Sequence, residues 1–195
     1  MGFQFCLCMS VLLLLPFTLG IASLPQPENG TEDTRVNPRI VQLSGFTVIG
    51  ISARTNNAKE MTADGVIGKE WARFFQEGIA ARIPNKADAS IVAVYSDYAS
   101  DHNGDYTFVL GTKVTSDSDL PAGMVSKKIS AGKYAVFTTD KGPAARVVPA
   151  MWMKINSLPK TAIGGDRLYR ADFEIYDERA VDLQNVQVDI YVGVR

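Results

Sequence analysis

Beyond position 39 the chain switches between two kinds of hydrophobic spacing, and the switches mark out its elements. The runs Leu43 to Ile49 and Ile129 to Phe137 are rich in β-branched and aromatic residues, with a glycine near the start of each, which suits a pleated strand. Each is followed by a stretch in which large apolar side chains recur at helical spacing: Ile67, Trp71, Phe74 and Phe75 in the first, Val148, Trp152 and Ile155 in the second. The spacing predicts helices near 63–82 and 143–158. Two strand-like runs joined by a polar turn come after each helix, Ala89 to Tyr98 with Tyr106 to Val114, then Tyr169 to Tyr176 with Val186 to Val194.

The order strand, helix, strand, strand therefore occurs twice, and large aromatic anchors recur with it. Trp71 and Tyr95 stand 24 positions apart, as do Trp152 and Tyr176. The repeats are read as about 39–114 and 123–195 within one domain, 39–195. Duplication of such a unit predicts an α+β fold with a pseudo-twofold antiparallel sheet and one main helix per half. The helices are expected to cover one face and leave the other as a central groove for a small molecule.

The first 38 residues follow neither spacing. The apolar run Val11 to Leu15 and the small residues Ile21-Ala-Ser23 make 1–23 a signal-like leader, too short to span a bilayer comfortably. Its lack of any basic residue before Arg35 keeps a membrane anchor or a mis-assigned start as alternatives. The proline-containing stretch 24–38 reads as a flexible linker. A true signal implies export to the periplasm or beyond, and its absence implies the cytoplasm.

Composition narrows the function. The 195 residues, 46% of them hydrophobic, can bury one proper core. Twenty basic residues against 21 acidic ones leave no basic footprint for nucleic acid, and no membrane contact is expected beyond the leader. Cys6 and Cys8 both fall in the leader, so the body offers no thiol chemistry. The one histidine, His102, sits in Asp101-His-Asn-Gly-Asp105; this reads as a hairpin turn, since Thr112 stands where a calcium loop needs a bidentate glutamate. With no nucleophile and base set, phosphate-binding glycine loop or zinc-ligand spacing, no metal or cofactor is expected, and ordinary hydrolase or transferase chemistry is disfavoured.

Glu174 is the residue with unexplained chemistry. Along its strand Phe173 and Ile175 share one face, and Asp172, Glu174 and Tyr176 share the other. The expectation is that the apolar pair packs on the helix while Glu174 points into the groove. A shift of 81 positions sets Ala93 against Glu174 and Ile91 against Asp172, so the first repeat is apolar where the second is acidic. Maintaining a fold does not require that asymmetry. A carboxylate among aromatic rings offers a cation both a charge partner and π-faces. Trp71, Tyr95, Tyr176 and Tyr191 are read as walls of the pocket, and Phe46 and Tyr134, taken as equivalent positions in the two leading strands, as further candidates.

Four segments in this order carry a resemblance: Gly68-Lys-Glu-Trp-Ala-Arg-Phe-Phe75, Asp105-Tyr-Thr-Phe-Val-Leu-Gly111, Ile129-Ser-Ala-Gly-Lys-Tyr-Ala-Val-Phe137 and Asp172-Phe-Glu-Ile-Tyr-Asp177. Together they resemble the gyrase-inhibitor-like, or AraC effector-binding, domains. The resemblance implies a duplicated fold that binds amphipathic or cationic small molecules in a central pocket, often as the sensory half of a transcription regulator, and it carries the pocket glutamate onto Glu174. No DNA-binding half is expected, because the residues before position 39 are taken up by leader and linker. Two other functions stay open: hydrolysis of strained electrophilic toxins by a pocket acid and a tyrosine, and a protein-interaction role like that of the gyrase inhibitor.

Overall fold

The structure is a computed structural model that describes residues 37–195; the leader and all but the end of the linker lie outside the described residues. The elements run β1 (Arg39–Leu43), β2 (Phe46–Thr55), α1 (Asn57–Glu60), α2 (Ile67–Gln76), α3 (Ile79–Arg82), β3 (Lys86–Ser96), β4 (Tyr106–Val114), β5 (Val125–Ile129), β6 (Gly132–Thr138), α4 (Ala144–Ser157), α5 (Lys160–Ile163), β7 (Ala171–Tyr176) and β8 (Asp189–Val194). All eight strands form one antiparallel sheet in the order β1-β6-β8-β7-β3-β4-β2-β5. From one edge the order is β1, β6, β8, β7 and from the other β5, β2, β4, β3, so β3 and β7 lie side by side at the centre. The fold is α+β, as the alternating spacings predict.

Three local readings need correction. The first is the pair of leading strands, each of which is really two strands. The chain breaks at Ser44-Gly45 and again at Ser130-Ala131, and the pieces pair with different partners: β1 with β6, β5 with β2. The exchange ties the two halves of the sheet together at both edges. A strand and two strands separated by two residues carry the same apolar spacing, so the pattern cannot separate them. At the first break Gly45 is needed for space, since a Cβ there would lie 2.8 Å from the Ile129 carbonyl oxygen.

The second is the helix expected over 63–82, which is shorter and divided. Residues 57–60 form α1, capped by the Asn56 side chain accepting from the Lys59 amide at 2.8 Å. The Glu60 carboxylate then accepts from the Val66 and Ile67 amides at 2.9 and 3.0 Å, which satisfies the free N–H groups that open α2. Gly78, at φ +59°, ends that helix in the left-handed conformation and turns the chain into α3. The second long helix, α4, falls close to its expected place.

The third correction concerns the faces of the sheet, and it decides where the site lies. Helices α2, α3 and α4 cover the face that carries Ile49, Ile51, Phe108, Leu110 and Ile190, burying Phe74, Ile79, Met151 and Ile155 against them. Tyr95 and Tyr176 share that face, and so does Glu174, which bonds to Trp152 of α4. Phe173 and Ile175 do not pack on a helix. They lie on the opposite face with Val48, Val92, Val94 and Val109, where side chains of β1, β2, β5 and β6 close over them. Both faces of the central strands are dry, so alternation tells which side chains share a face but not which face the helices take. Burial of each large aliphatic or aromatic side chain here is worth about 1.5–3 kcal/mol.

One close approach constrains the sheet. Gly50 and Gly111 are register partners across β2 and β4. A Cβ on Gly50 would come within 2.1 Å of the Leu110 carbonyl oxygen, and one on Gly111 within 1.9 Å of that of Ile49. Only two glycines allow the strands to pass at this point.

Candidate functional site

The candidate site is assembled on the two central strands and roofed by the two long helices. Ala93 of β3 and Glu174 of β7 are register partners on the two central strands. Because side chains alternate along a strand, Tyr95 stands on the same face two residues from Ala93, while Asp172 and Tyr176 flank Glu174. From above, α4 lowers Trp152 onto the carboxylate and α2 places Trp71 against Tyr176, with ring centroids 4.8 Å apart at 65°.

Glu174 is 1% exposed, and its two oxygens accept three hydrogen bonds. Trp152 Nε1 and the Tyr95 hydroxyl donate to Oε1 at 2.5 and 2.8 Å, and the Tyr176 hydroxyl donates to Oε2 at 2.7 Å. All three donors are neutral. Burial pushes the carboxyl above the ordinary glutamate range, and the three donors pull it back only in part. Burial and the adjacent carboxylate hold the Tyr95 and Tyr176 phenols well above their usual range, so both remain protonated donors.

Aromatic rings surround this acid. Tyr95 packs against Trp152, Phe108 and Tyr106 with centroids 5.1 to 5.6 Å apart, and Trp71 stacks on Phe75 at 5.8 Å. Trp71, Tyr95 and Trp152 are half-buried; Tyr95 and Trp152 bond to the carboxylate, and Trp71 reaches it through Tyr176. Phe75 and Met153 add exposed apolar surface on the outer sides of α2 and α4.

A second polar cluster follows along the same strand face. Asp172, fully buried, receives Arg167 Nη2 at 2.8 Å and Nε at 3.2 Å, the Tyr98 hydroxyl at 3.0 Å and the Gly193 amide at 2.9 Å. The Arg167 guanidinium also donates to Asn156 Oδ1 at 2.6 Å and lies over the rings of Trp152 and Tyr169, 5.5 and 4.7 Å from their centroids. Beyond it a cavity of about 220 Å³ is bordered by Ile155, Asn156, Ile163, Arg167 and Tyr169.

The sequence-derived candidates divide by face. Trp71, Tyr95 and Tyr176 gather around Glu174. Phe46, Tyr134 and Tyr191 gather instead around Phe173 on the opposite face, at centroid distances of 5.2, 5.3 and 4.6 Å. Phe46 opens β2 whereas Tyr134 is the third residue of β6, so the two are not equivalent positions. Sequence reasoning did not assign Trp152, Tyr98, Asp172 or Arg167 to the site. Trp152 stands 81 positions after Trp71 and could have been nominated by that spacing; Arg167 and Asp172 are five positions apart, but nothing in the sequence marks the pair as buried.

His102 lies in the turn between β3 and β4, which Ala99 and Gly104 close by donating to the carbonyls of Asp105 and Asp101. Its Nδ1 is 3.4 Å from the Tyr169 hydroxyl. Among the described residues no group of three or more His, Cys, Asp or Glu side chains is placed to hold a metal ion, and no helix is long and apolar enough to cross a membrane.

Residues 39–194 match the family described as integron-associated effector binding protein. YobU of Bacillus subtilis is 37% identical over 147 residues, which cover 75% of this chain and 90% of YobU. The transcriptional regulator BrlR of Pseudomonas aeruginosa is 31% identical over 162 residues, 82% of this chain but 56% of BrlR, so the chain spans about half of that regulator. Among solved structures, an integron cassette protein from the mobile metagenome of Vibrio cholerae superposes with a TM-score of 0.64 at 30% identity, covering 82% of this chain and 96% of that one. SAV2435, solved bound to tetraphenylphosphonium, shares the fold with a TM-score of 0.66 at 19% identity, covering 82% of this chain and 94% of its own.

Proposed function

This chain belongs to the family of integron-associated effector binding proteins, and from that premise we propose that it binds an amphipathic organic cation between its two long helices, with Glu174 as the charge partner. The observation that carries the reading is a carboxylate 1% exposed whose three hydrogen-bond donors are all neutral. A buried acid without a cation is costly to ionise, and the upward shift of its pKa is the measure of that cost. A ligand that brings a positive charge and an apolar body reverses the cost, while the rings of Trp71, Tyr95, Trp152 and Tyr176 supply π-faces worth roughly 0.5–2 kcal/mol for each close contact. Trp152 is the side chain that must move, because its N–H occupies the carboxylate and its half-buried ring covers it.

The reading requires charge recognition as well as hydrophobic capture, and two ions of one shape separate the terms. Tetraphenylphosphonium, the ligand of the fold neighbour SAV2435, and tetraphenylborate have the same four-ring body and opposite charge. The cation is expected to quench tryptophan fluorescence saturably and to raise the Tm of the full chain, and the borate to do neither. Equal effects from both ions, or none from either, would dismiss the proposal. A transport role for the apolar leader 1–23 would place this binding outside the cytoplasm, and mass spectrometry of the mature N-terminus reads that directly.

A further inference from the structure

Two acids share the strand face under the helices, and they are compensated differently. Asp172 and Glu174 are two positions apart on β7, which sets their side chains roughly 6 to 7 Å apart along the strand. Glu174 meets only neutral donors, whereas Asp172 is held by two nitrogens of Arg167 in a pair whose side chains are 0% and 6% exposed. A buried pair of this kind adds little to stability compared with apolar side chains of the same volume, so stability does not account for its place. Its neighbours suggest one that does. Trp152 donates its N–H to Glu174 and presents its ring to the Arg167 guanidinium, so the two acids and the arginine border one aromatic layer. Arg167 also borders the cavity of about 220 Å³, so the guanidinium stands between that space and Asp172.

We infer that Arg167 sets the charge selectivity of the ligand site: by occupying Asp172 it leaves a single carboxylate for the ligand, so the site accepts monocations and rejects dications. This rests on the reading of Glu174 as the charge partner. A ligand with one positive centre meets Glu174 and the rings. The second centre of a dication, at the spacing of the two acids, meets a guanidinium where a carboxylate would otherwise be, in surroundings that screen like charges poorly. Selectivity of this kind comes from the repulsive element and not from any added contact. Without the guanidinium, the same strand face would offer two carboxylates in a row.

Ethidium and propidium test this on the full chain, since they share a ring system and propidium carries a second quaternary ammonium on its tail. The unsubstituted protein is expected to bind ethidium at least tenfold more tightly. Arg167→Gln, which keeps a donor for Asp172, is expected to narrow that ratio at least fivefold by raising the affinity for propidium. Arg167→Lys keeps the charge on a slimmer side chain and is expected to keep the ratio; relief through bulk alone would appear in both variants. Because Arg167→Gln removes a buried charge partner and can lower stability, its melting is followed with each dye present. The difference between the Tm rises given by ethidium and by propidium should then be smaller than in the unsubstituted protein. Equal affinities in the unsubstituted protein, a ratio unchanged in the Gln variant, or the same narrowing in the Lys variant would overturn the inference while leaving Glu174 as the charge partner. Failure of ethidium to bind at all, or ethidium binding indifferent to Glu174→Gln, would instead overturn the reading beneath it, and this inference with it.

Discussion

Glu174→Gln removes one charge and almost nothing else, and its effect can be worked out from the hydrogen bonds. Trp152 Nε1 is a donor only, so it fixes the amide oxygen of the glutamine at the position of Oε1, where the Tyr95 hydroxyl also donates. The amide nitrogen then takes the place of Oε2 opposite Tyr176, whose hydroxyl turns from donor to acceptor. All three contacts survive in an isosteric side chain, so the fold is expected to hold with a Tm equal to or above that of the unsubstituted protein. Binding should suffer. Four phenyl rings keep a phosphonium centre about 5 to 6 Å from the carboxylate, where unit charges at an effective dielectric of about 20 interact by ~3 kcal/mol. Part of that is spent ionising an acid whose burial favours the protonated form. The expected loss is therefore about 1.5–3 kcal/mol, or roughly 10- to 150-fold in Kd for tetraphenylphosphonium, read by isothermal titration calorimetry. A Kd within threefold of the original, in a variant with unchanged circular dichroism, would show that the carboxylate contributes no charge to recognition.

Linkage gives a second expectation. Burial holds the folded Glu174 pKa above its unfolded value, so the stability this group contributes is fully present below the unfolded value and is lost as pH rises through the folded one. Urea midpoints of the unsubstituted protein and Glu174→Gln should therefore agree near pH 4 and separate toward about pH 8, with the variant the more stable; parallel curves would contradict the shift. Cation binding restores the ionised form, so affinity should climb over the same window, with proton release visible as a dependence of the binding enthalpy on buffer. Tyr176→Phe takes a 2.7 Å donor from a buried oxygen and should cost about 1–3 kcal/mol in thermal melts. Trp71→Leu should weaken tetraphenylphosphonium several-fold through the lost π-face, whereas Tyr191→Leu, on the opposite face with Phe173, should leave affinity within twofold; equal losses would return Tyr191 to the site. Gly50→Ala forces a Cβ to 2.1 Å from the Leu110 carbonyl oxygen, and a loss of about 3 kcal/mol or more is expected by urea unfolding.

The sequence by itself determined the class of fold, because hydrophobic spacing reports which elements are present and in what order. The two aromatic helices, the central strands and the acid at position 174 are all legible without coordinates. So is the asymmetry between Ala93 and Glu174, which the register of β3 and β7 turns into direct opposition at the middle of the sheet. Alternation also showed that Glu174 and Tyr176 share a face. What it could not show is which face lies under the helices, since both sides of β7 are buried and each carries aromatic rings. Aromatic character alone nominates Phe46, Tyr134 and Tyr191 for the pocket, and the tertiary structure sets them on the other face, against Phe173. The strand exchange of β1 and β5 and the descent of Trp152 onto the carboxylate were likewise decided only by tertiary structure. Local spacing records how a segment buries itself, whereas these features depend on which distant segment it meets, and that is settled by packing the whole sheet.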